Sequence, residues 1–162
     1  MDEQAKQYRS RITELLDARG IAYRILPHGT PVYTVEEAAR QRDVVMEEMV
    51  KCILLREPHG RYVMACVRGD MRVDHRAVRN ALGPGWRRLH FAGADEIETV
   101  TGSVRGAVAP IGLPEDVALL IDERITACEK VNISSGDVTF GLELAASDLF
   151  AVSGARFAQV AE

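Results

Sequence analysis

The sequence predicts an α+β fold with a mixed sheet. Two strand-like segments, Val50–Arg56 and Arg61–Val67, flank the turn residues 57–60, so we expect them to form an antiparallel hairpin. Helical and strand-like segments do not alternate strictly along the chain, which argues against a doubly wound parallel sheet. The 162 residues contain no repeat and no linker, so one domain spanning residues 1–162 is expected.

The first helices are predicted from apolar spacing and from caps. A helix over Ala5–Arg19 is followed by Gly20, a residue suited to the left-handed position after a helix. A second helix, Val35 to about Arg42, is predicted because Thr34 and Glu37 have the spacing of a capping box. The apolar residues that recur at helical spacing in the first helix are Tyr8, Ile12, Leu15 and Leu16.

The remaining elements follow from the same signals. Asp74 caps a helix that ends at Leu82, Ala94–Val100 is a short helix, and Ser147 caps a last short helix. The other predicted strands are Ile21–Leu26, Trp86–Phe91, Val117–Ile121, Lys130–Ser134 and Thr139–Leu144, and Arg156–Val160 is a final turn or strand.

Charge and composition limit the classes of function. The net charge of −4 argues against a protein that coats nucleic acid through a large basic surface. Between Arg68 and Arg88, however, six arginines and two aspartates give a local charge of +4. This segment is either a solvated helix face or a patch that contacts phosphates.

Location and cofactors follow from what the sequence lacks. No apolar stretch approaches the roughly 20 residues that span a bilayer, and the N-terminus is polar, so a cytoplasmic location without membrane contact is expected. The three cysteines and four histidines show no metal-ligand spacing, so neither a metal site nor a cofactor is predicted.

Two features are candidates for a site. The stretch Thr101–Gly112 contains three glycines and Pro110 among apolar residues. Such a loop either presents backbone N–H groups to a carbonyl or phosphate oxygen, or is a tight buried crossover. Lys51 lies inside an apolar strand on the same face as Ile53 and Leu55, so it is either solvated near the strand end or held at a site.

Several landmarks together resemble the YbaK/ProX family of aminoacyl-tRNA deacylases, which is related to the editing domain of prolyl-tRNA synthetase. The C-terminal motifs are most similar to the YbaK branch, which acts on Cys-tRNA. The resemblance implies a mixed, largely antiparallel, curved sheet flanked by helices. The landmarks are Y-T-V-E-E-A-A from Tyr33, V-K-C-I-L-L from Val50, R-G-D-M-R-V-D from Arg68, the glycine-rich stretch, L-I-D from Leu120, and S-S-G followed by L-E-L-A-A-S-D-L from Leu142.

The function implied by this resemblance is trans-editing. The substrate would be a mischarged tRNA, tRNA-Pro included, that carries Cys, Ala, Ser or Thr. Its acceptor end would be bound, a prolyl- or another aminoacyl-tRNA synthetase would be a partner, and DNA would not be one. The alternative is a non-catalytic tRNA- or nucleotide-binding module that partners a synthetase.

Site residues are assigned from the resemblance and the loop. Lys51 is the central functional residue, expected to orient the terminal phosphate or ribose as a point charge, while backbone amides around Gly106 and Ala107 stabilise the oxyanion. Arg68 and Arg72 are expected to contact tRNA. The candidate substrate-binding residues are Tyr33, Cys52, Thr101, Gly102, Val108, Pro110, Gly112, Asp122, Ser134, Ser135 and Gly136.

Alternatives and departures accompany these assignments. Asp122 also suits a cap for the following turn, and Ser134 and Ser135 also suit bonds to their own backbone. The YbaK branch usually has threonine where this chain has Cys52, and aspartate where it has Gly141. The amino acid that this chain prefers therefore stays open.

Overall fold

A computed structural model describes residues 8–162 of the chain. Within that range helices and strands follow each other in mixed order, which confirms the α+β prediction. No helix there is long and apolar enough to cross a membrane. The helices are α1 (Arg11–Ala18), α2 (Val35–Arg42), α3 (His75–Leu82), α4 (Ala94–Thr101) and α5 (Ala146–Ser153). The strands are β1 (Arg24–Pro27), β2 (Val50–Arg56), β3 (Tyr62–Arg68), β4 (His90–Phe91), β5 (Ala118–Asp122), β6 (Lys130–Ser134), β7 (Phe140–Ala145) and β8 (Arg156–Ala158).

The strands divide between two sheets. One has the order β4-β2-β3-β5-β8, with parallel pairing from β3 to β5 and from β5 to β8; the other, β1-β7-β6, is antiparallel. The predicted hairpin is confirmed as β2 and β3, with Cys52 opposite Cys66. The division was not visible in the sequence, because β1 pairs with β7 more than a hundred residues further along the chain.

Burial explains why β3 is the centre of the larger sheet. Every residue from Val63 to Val67 is fully buried, since each face of β3 is covered by a different apolar cluster. One cluster lies between the two sheets and includes Met64 with Leu142 of β7. The other lies beneath α3 and includes Val63 with Val78. A strand covered on both faces is expected to be apolar throughout, as β3 is.

Capping side chains set some helix ends but not others. Thr34 accepts from the Glu37 N–H, so α2 begins where predicted, although the Glu37 carboxylate accepts from the Tyr33 N–H rather than from Thr34. The first helix begins at Arg11 and not at Ala5, because Ser10 is its N-cap; residues 5–7 of the predicted helix lie outside the described range. Ser147 is inside α5 and does not cap it.

Asp122 attaches the C-terminal segment to the end of β5. It is fully buried at the end of β5, where its carboxylate accepts from the backbone N–H groups of Val160 and Ala161 at 2.9 and 3.0 Å. The same carboxylate accepts from the Arg124 N–H at 3.0 Å, so it is also a cap for the following 3-10 helix. One buried acceptor therefore holds two distant backbone segments together.

We predict that Asp122→Ala lowers the free energy of unfolding by about 3 kcal/mol, because three backbone N–H groups lose a charged acceptor. Urea denaturation of the variant and of wild type gives this difference. Asp122→Asn, which keeps one acceptor oxygen, should lose clearly less. Equal stability of Asp122→Ala and wild type would contradict the structural role.

Candidate functional site

A cleft of about 450 Å³ runs along the open edge of β2. Strand β4 pairs with β2 only at Leu55 and Arg56, so no strand within residues 8–162 pairs with residues 50–54 on that side. All five of these successive residues line the cleft, which is the pattern of an edge rather than of a sheet face. Two further segments line the cleft: one is α2 with the residues that precede it, and the other is the glycine-rich loop at Arg105, Gly106 and Val108, together with Ser134.

The backbone of Cys52 is turned toward this edge. The Leu54 carbonyl already points away from β3, because it accepts from the Ala92 N–H. In an antiparallel pair the N–H and C=O of one residue point to the same side, and residues two apart point alike. The N–H and C=O of Cys52 therefore face the cleft, while its side chain lies 3.6 Å from the Cys66 sulfur.

Gly106 brings the glycine-rich loop against α2. Its φ is +89°, and a Cβ at this position would lie 2.6 Å from the Tyr33 carbonyl oxygen, so only glycine fits without displacement. The Gly106 carbonyl accepts from the Ser134 hydroxyl at 3.3 Å. Within residues 8–162 no acceptor takes the Gly106 N–H, whereas the Ala107 N–H donates to the Val104 carbonyl at 3.0 Å. Gly106 therefore has a backbone N–H without an acceptor among the described residues, whereas the N–H of the buried Ala107 is already bonded.

The two ends of the loop are tied together by Arg11. Its guanidinium donates to the Gly112 carbonyl at 2.8 Å and to the Thr101 carbonyl at 3.3 Å. Thr101 is buried and its hydroxyl donates to the Ile97 and Ser103 carbonyls. These residues shape the loop from behind and do not line the cleft.

Lys51 lines the cleft with a half-buried side chain. Its Nζ donates to the Met71 carbonyl at 2.6 Å, which holds the ammonium group beside the turn after β3. Burial lowers the pKa of Lys51, and Arg72 adds to this, while Glu36 and Asp70 oppose it. The prediction of a lysine held at a site, rather than one solvated at a strand end, agrees with this geometry.

The cleft has an exposed end, which we call the mouth, and a buried end, which we call the closed end. Tyr33 and Phe91 line the cleft with 59% and 63% of their surface exposed, whereas Arg42 lines it with 8% exposed. Arg42 donates from Nε to Nε2 of His28 at 3.0 Å, and Nδ1 of His28 lies 2.8 Å from the Val138 carbonyl. These two bonds suit a neutral imidazole with its proton on Nδ1. Burial, then the Arg42 guanidinium, lowers the pKa of His28.

Six of the fourteen residues that the sequence assigned to catalysis or substrate binding line the cleft. They are Lys51, Gly106, Tyr33, Cys52, Val108 and Ser134. Those that do not line it are Ala107, Thr101, Gly102, Pro110, Gly112, Asp122, Ser135 and Gly136. Gly136 and Ser135 instead support the site from behind, since the Gly136 N–H donates to the Ala107 carbonyl and the Ser135 hydroxyl donates to the Phe140 carbonyl.

Neither of the two predicted tRNA contacts lines the cleft. Arg68 forms a two-pronged ion pair with Asp70 at 2.6 and 2.9 Å and lines a second, more open cavity of about 710 Å³ near Cys128. Arg72 is exposed in the turn that follows β3. The second cavity contains neither Lys51 nor the glycine-rich loop, so we take the smaller cleft as the functional site.

Sequence reasoning missed several cleft residues. Glu36, Arg42 and Phe91 line it, but each belongs to a segment that predicted only a helix or a short strand. Arg42 carried one signal, since it is a charged residue on the helix face that also carries the buried Ala38 and Ala39. No group of three or more His, Cys, Asp or Glu in residues 8–162 is placed to hold a metal ion.

Solved structures define the class of this fold. The crystal structure of hypothetical protein APE2540 is similar with a TM-score of 0.85 and 29% identity, covering 94% of this chain and 100% of that one. A candidate trans-editing enzyme for prolyl tRNA synthetase matches with a TM-score of 0.79 over 100% of this chain and 99% of that one. At 24% identity the second likeness shows the fold alone, which is the fold predicted from the sequence.

The family follows from a comparison of sequences. The model of the aminoacyl-tRNA editing domain matches residues 30–152, a range that contains every cleft-lining residue. The chain therefore belongs to the aminoacyl-tRNA editing domain family. This confirms the resemblance seen in the sequence and makes the chain a hydrolase of the aminoacyl-tRNA deacylase class.

Two relatives show how this chain compares with curated proteins. The prolyl-tRNA editing protein ProX of Acetoanaerobium sticklandii is 27% identical over 154 residues, covering 92% of this chain and 90% of that protein. The proline–tRNA ligase of Bacillus licheniformis is 31% identical over 100 residues, or 62% of this chain. This chain spans only 17% of the length of that ligase.

We predict that Gly106→Ala lowers the free energy of unfolding by about 3 kcal/mol, because the added methyl group combines an unfavourable φ with a clash against Tyr33. Gly60→Ala is the matched control: its φ is +90° and nothing lies within 4 Å of the added Cβ, so only about 1 kcal/mol should be lost. Denaturation curves of both variants give the difference. Equal losses would show that the close approach to Tyr33 is not required.

We predict that the protein loses stability as pH falls below about 6.5 through the titration of His28. Because the folded state lowers the pKa of His28, the unfolded chain binds the proton first, and the stabilisation present above pH 6.5 is lost as pH falls through the folded pKa. Urea denaturation at pH 7.5 and 5.5 should show a smaller drop for His28→Gln than for wild type. His59→Gln, in an exposed turn, should keep the wild-type drop.

Proposed function

We propose that this chain hydrolyses, in trans, the ester that joins a small amino acid to the 3′ end of a mischarged tRNA. The observation that supports this most is that Lys51 and Gly106, whose N–H has no acceptor in residues 8–162, line one cleft. The family membership supports the same reaction class. A cytoplasmic location and a transient association with a synthetase go with this proposal.

Water is the attacking group in the proposed reaction. It adds to the ester carbonyl carbon and the carbonyl oxygen becomes an oxyanion. When the oxyanion reforms the carbonyl, the C–O bond to the ribose breaks, and the ribose oxygen takes up the proton that the attacking water has lost. The Gly106 N–H is the candidate donor to the oxyanion, and the outward N–H of Cys52 is a second candidate on the β2 edge. An aminoacyl ester is activated, so the site needs no side-chain nucleophile.

Lys51 orients the substrate in this mechanism. Its ammonium group is fixed by the Met71 carbonyl and has further donors for a ribose or phosphate oxygen. Burial lowers the pKa of Lys51, and Glu36, which also lines the cleft, opposes that shift. A charged, hydrogen-bonded lysine is better suited to hold an anion than to remove a proton.

The tRNA body leaves the cleft at its mouth. Phe91 lines the cleft and also a neighbouring groove of basic residues, so the two surfaces are continuous. The exposed Tyr33 and Phe91 rings are suited to stack on the terminal bases. The residues that line the groove are His75, Arg76, Arg79, Arg88, Leu89, His90 and Phe91. This groove replaces Arg68 as the candidate contact for the acceptor stem.

We predict that Lys51→Ala lowers kcat/KM for deacylation at least 100-fold, because the substrate loses its orienting cation. The measurement is the release of labelled amino acid from Ala-, Cys-, Ser- and Thr-tRNA prepared on non-cognate acceptors, with Pro-tRNA-Pro included. Lys130→Ala, an exposed lysine outside the cleft, should remain active. If folded wild type hydrolyses none of the esters, the non-catalytic binding module becomes the better description.

We predict that Arg76→Ala with Arg79→Ala raises KM without lowering kcat. Two lost phosphate contacts should also make the dependence of log kcat/KM on log salt shallower by about 2. The control pair is Arg9→Ala with Arg19→Ala, which removes equal charge from the chain around α1, outside the groove. A salt dependence that falls equally in both pairs would point to general charge rather than to this groove.

A further inference from the structure

Arg42 is a buried cation without a carboxylate partner. Its residue surface is 8% exposed, yet no acidic group in residues 8–162 lies within ion-pair distance of it. Nε donates to His28 and Nη1 donates to the Ile133 carbonyl at 3.3 Å. Nη2 has no hydrogen-bond partner among the described residues but retains some accessible surface, and Arg42 is part of the cleft lining.

This arrangement is unfavourable for the empty protein. Burial lowers the pKa of Arg42 to about 10, so the guanidinium is still charged at neutral pH but lacks a compensating anion. A buried charge is normally paired, and an apolar side chain of similar volume is often more stable than an incompletely paired ion. A ligand that supplies an acceptor for Nη2 would relieve this penalty.

Gly141 makes the room for the guanidinium. A Cβ at this position would overlap the Nε and Cζ atoms of Arg42, so any side chain on residue 141 would exclude Arg42 from its present place. Gly141 lies on β7 directly opposite Ser134 of β6, and Ser134 lines the cleft and bonds to Gly106. The glycine that stands where the YbaK branch has aspartate therefore lets a cation occupy the closed end of the cleft.

The closed end can receive only the terminal group of the substrate. The tRNA must pass the exposed mouth near Tyr33 and Phe91, and the ester must lie beside Gly106. The part that extends beyond the ester, toward the buried Arg42, is then the side chain of the amino acid. A phosphate would have to enter ahead of the acyl group to reach the same position.

We propose that Arg42 is a specificity-determining residue that binds an oxygen acceptor on the amino-acid side chain, either a hydroxyl or a carboxylate. The cleft then selects seryl- or aspartyl-type esters over the purely aliphatic alanyl ester. This inference rests on the proposed function, because it assigns the substrate side chain of the same cleft. A charge-assisted hydrogen bond of this kind gives about 10- to 100-fold discrimination.

The test compares Ser-, Asp- and Ala-esters on one and the same tRNA. We expect wild type to hydrolyse the Ser- or the Asp-ester 10- to 100-fold faster than the Ala-ester in kcat/KM, and the faster of the two names the acceptor. Arg42→Met should reduce that ratio to within a few-fold of one. Arg40→Met, an exposed arginine on the same helix outside the cleft, should leave the ratio at its wild-type value.

Binding provides a readout that does not need turnover. Non-hydrolysable 3′-amide analogues of seryl- and aspartyl-adenosine should raise the Tm of wild type more than the alanyl analogue does, and Arg42→Met should lose that difference. Arg42→Met without ligand should melt no lower than wild type, since it removes an uncompensated charge. An alanyl preference in wild type, or an unchanged ratio in Arg42→Met, overturns the inference. Selective binding without hydrolysis of any ester would instead refute the proposed function and leave this inference standing.

Discussion

The site depends on the contact between the Gly106 backbone and the Tyr33 backbone. Because Gly106 has a positive φ and no side chain, the loop after α4 can touch the segment that enters α2. The Tyr33 N–H is in turn held by the Glu37 carboxylate inside that helix. The two walls of the cleft are therefore joined at one point, and the open edge of β2 is left between them.

Local sequence patterns explain which parts of the fold and of the site could be predicted from the sequence. Lys51, Gly106 and Ser134 were predicted because the resemblance assigns them and local glycine chemistry supports the loop. Helices α2 and α3 begin where their N-caps Thr34 and Asp74 predict. At α5 the prediction was wrong, because the Ala146 N–H donates to the Glu129 carbonyl and the first turn needs no serine cap. That acceptor comes from a distant segment, so no local pattern reveals it.

Long-range partners also explain the residues that were assigned to the cleft but lie outside it. In the sequence, Asp122 is a carboxylate at the end of a predicted strand. Only the structure shows that the backbone N–H groups of Val160 and Ala161 already occupy one of its oxygens. Arg11 likewise holds Thr101 and Gly112 from a helix about ninety residues earlier. Conversely, nothing in the local sequence around Arg42 shows that a glycine on β7 leaves space for its guanidinium.

The groups proposed to act on the ester and the group proposed to select the amino acid lie in different parts of the cleft. The groups proposed to act on the ester are backbone donors at Gly106 and Cys52 and one lysine held by the Met71 carbonyl, and their placement follows from the strand edge and the loop. The closed end is built from side chains, where Arg42 fits only because residue 141 lacks one. A substitution at the closed end can therefore change which amino acid is accepted while the strand edge and the loop keep their geometry. Because Arg42 is charged, buried and incompletely bonded, the selectivity proposed for this end would lower the stability of the empty protein.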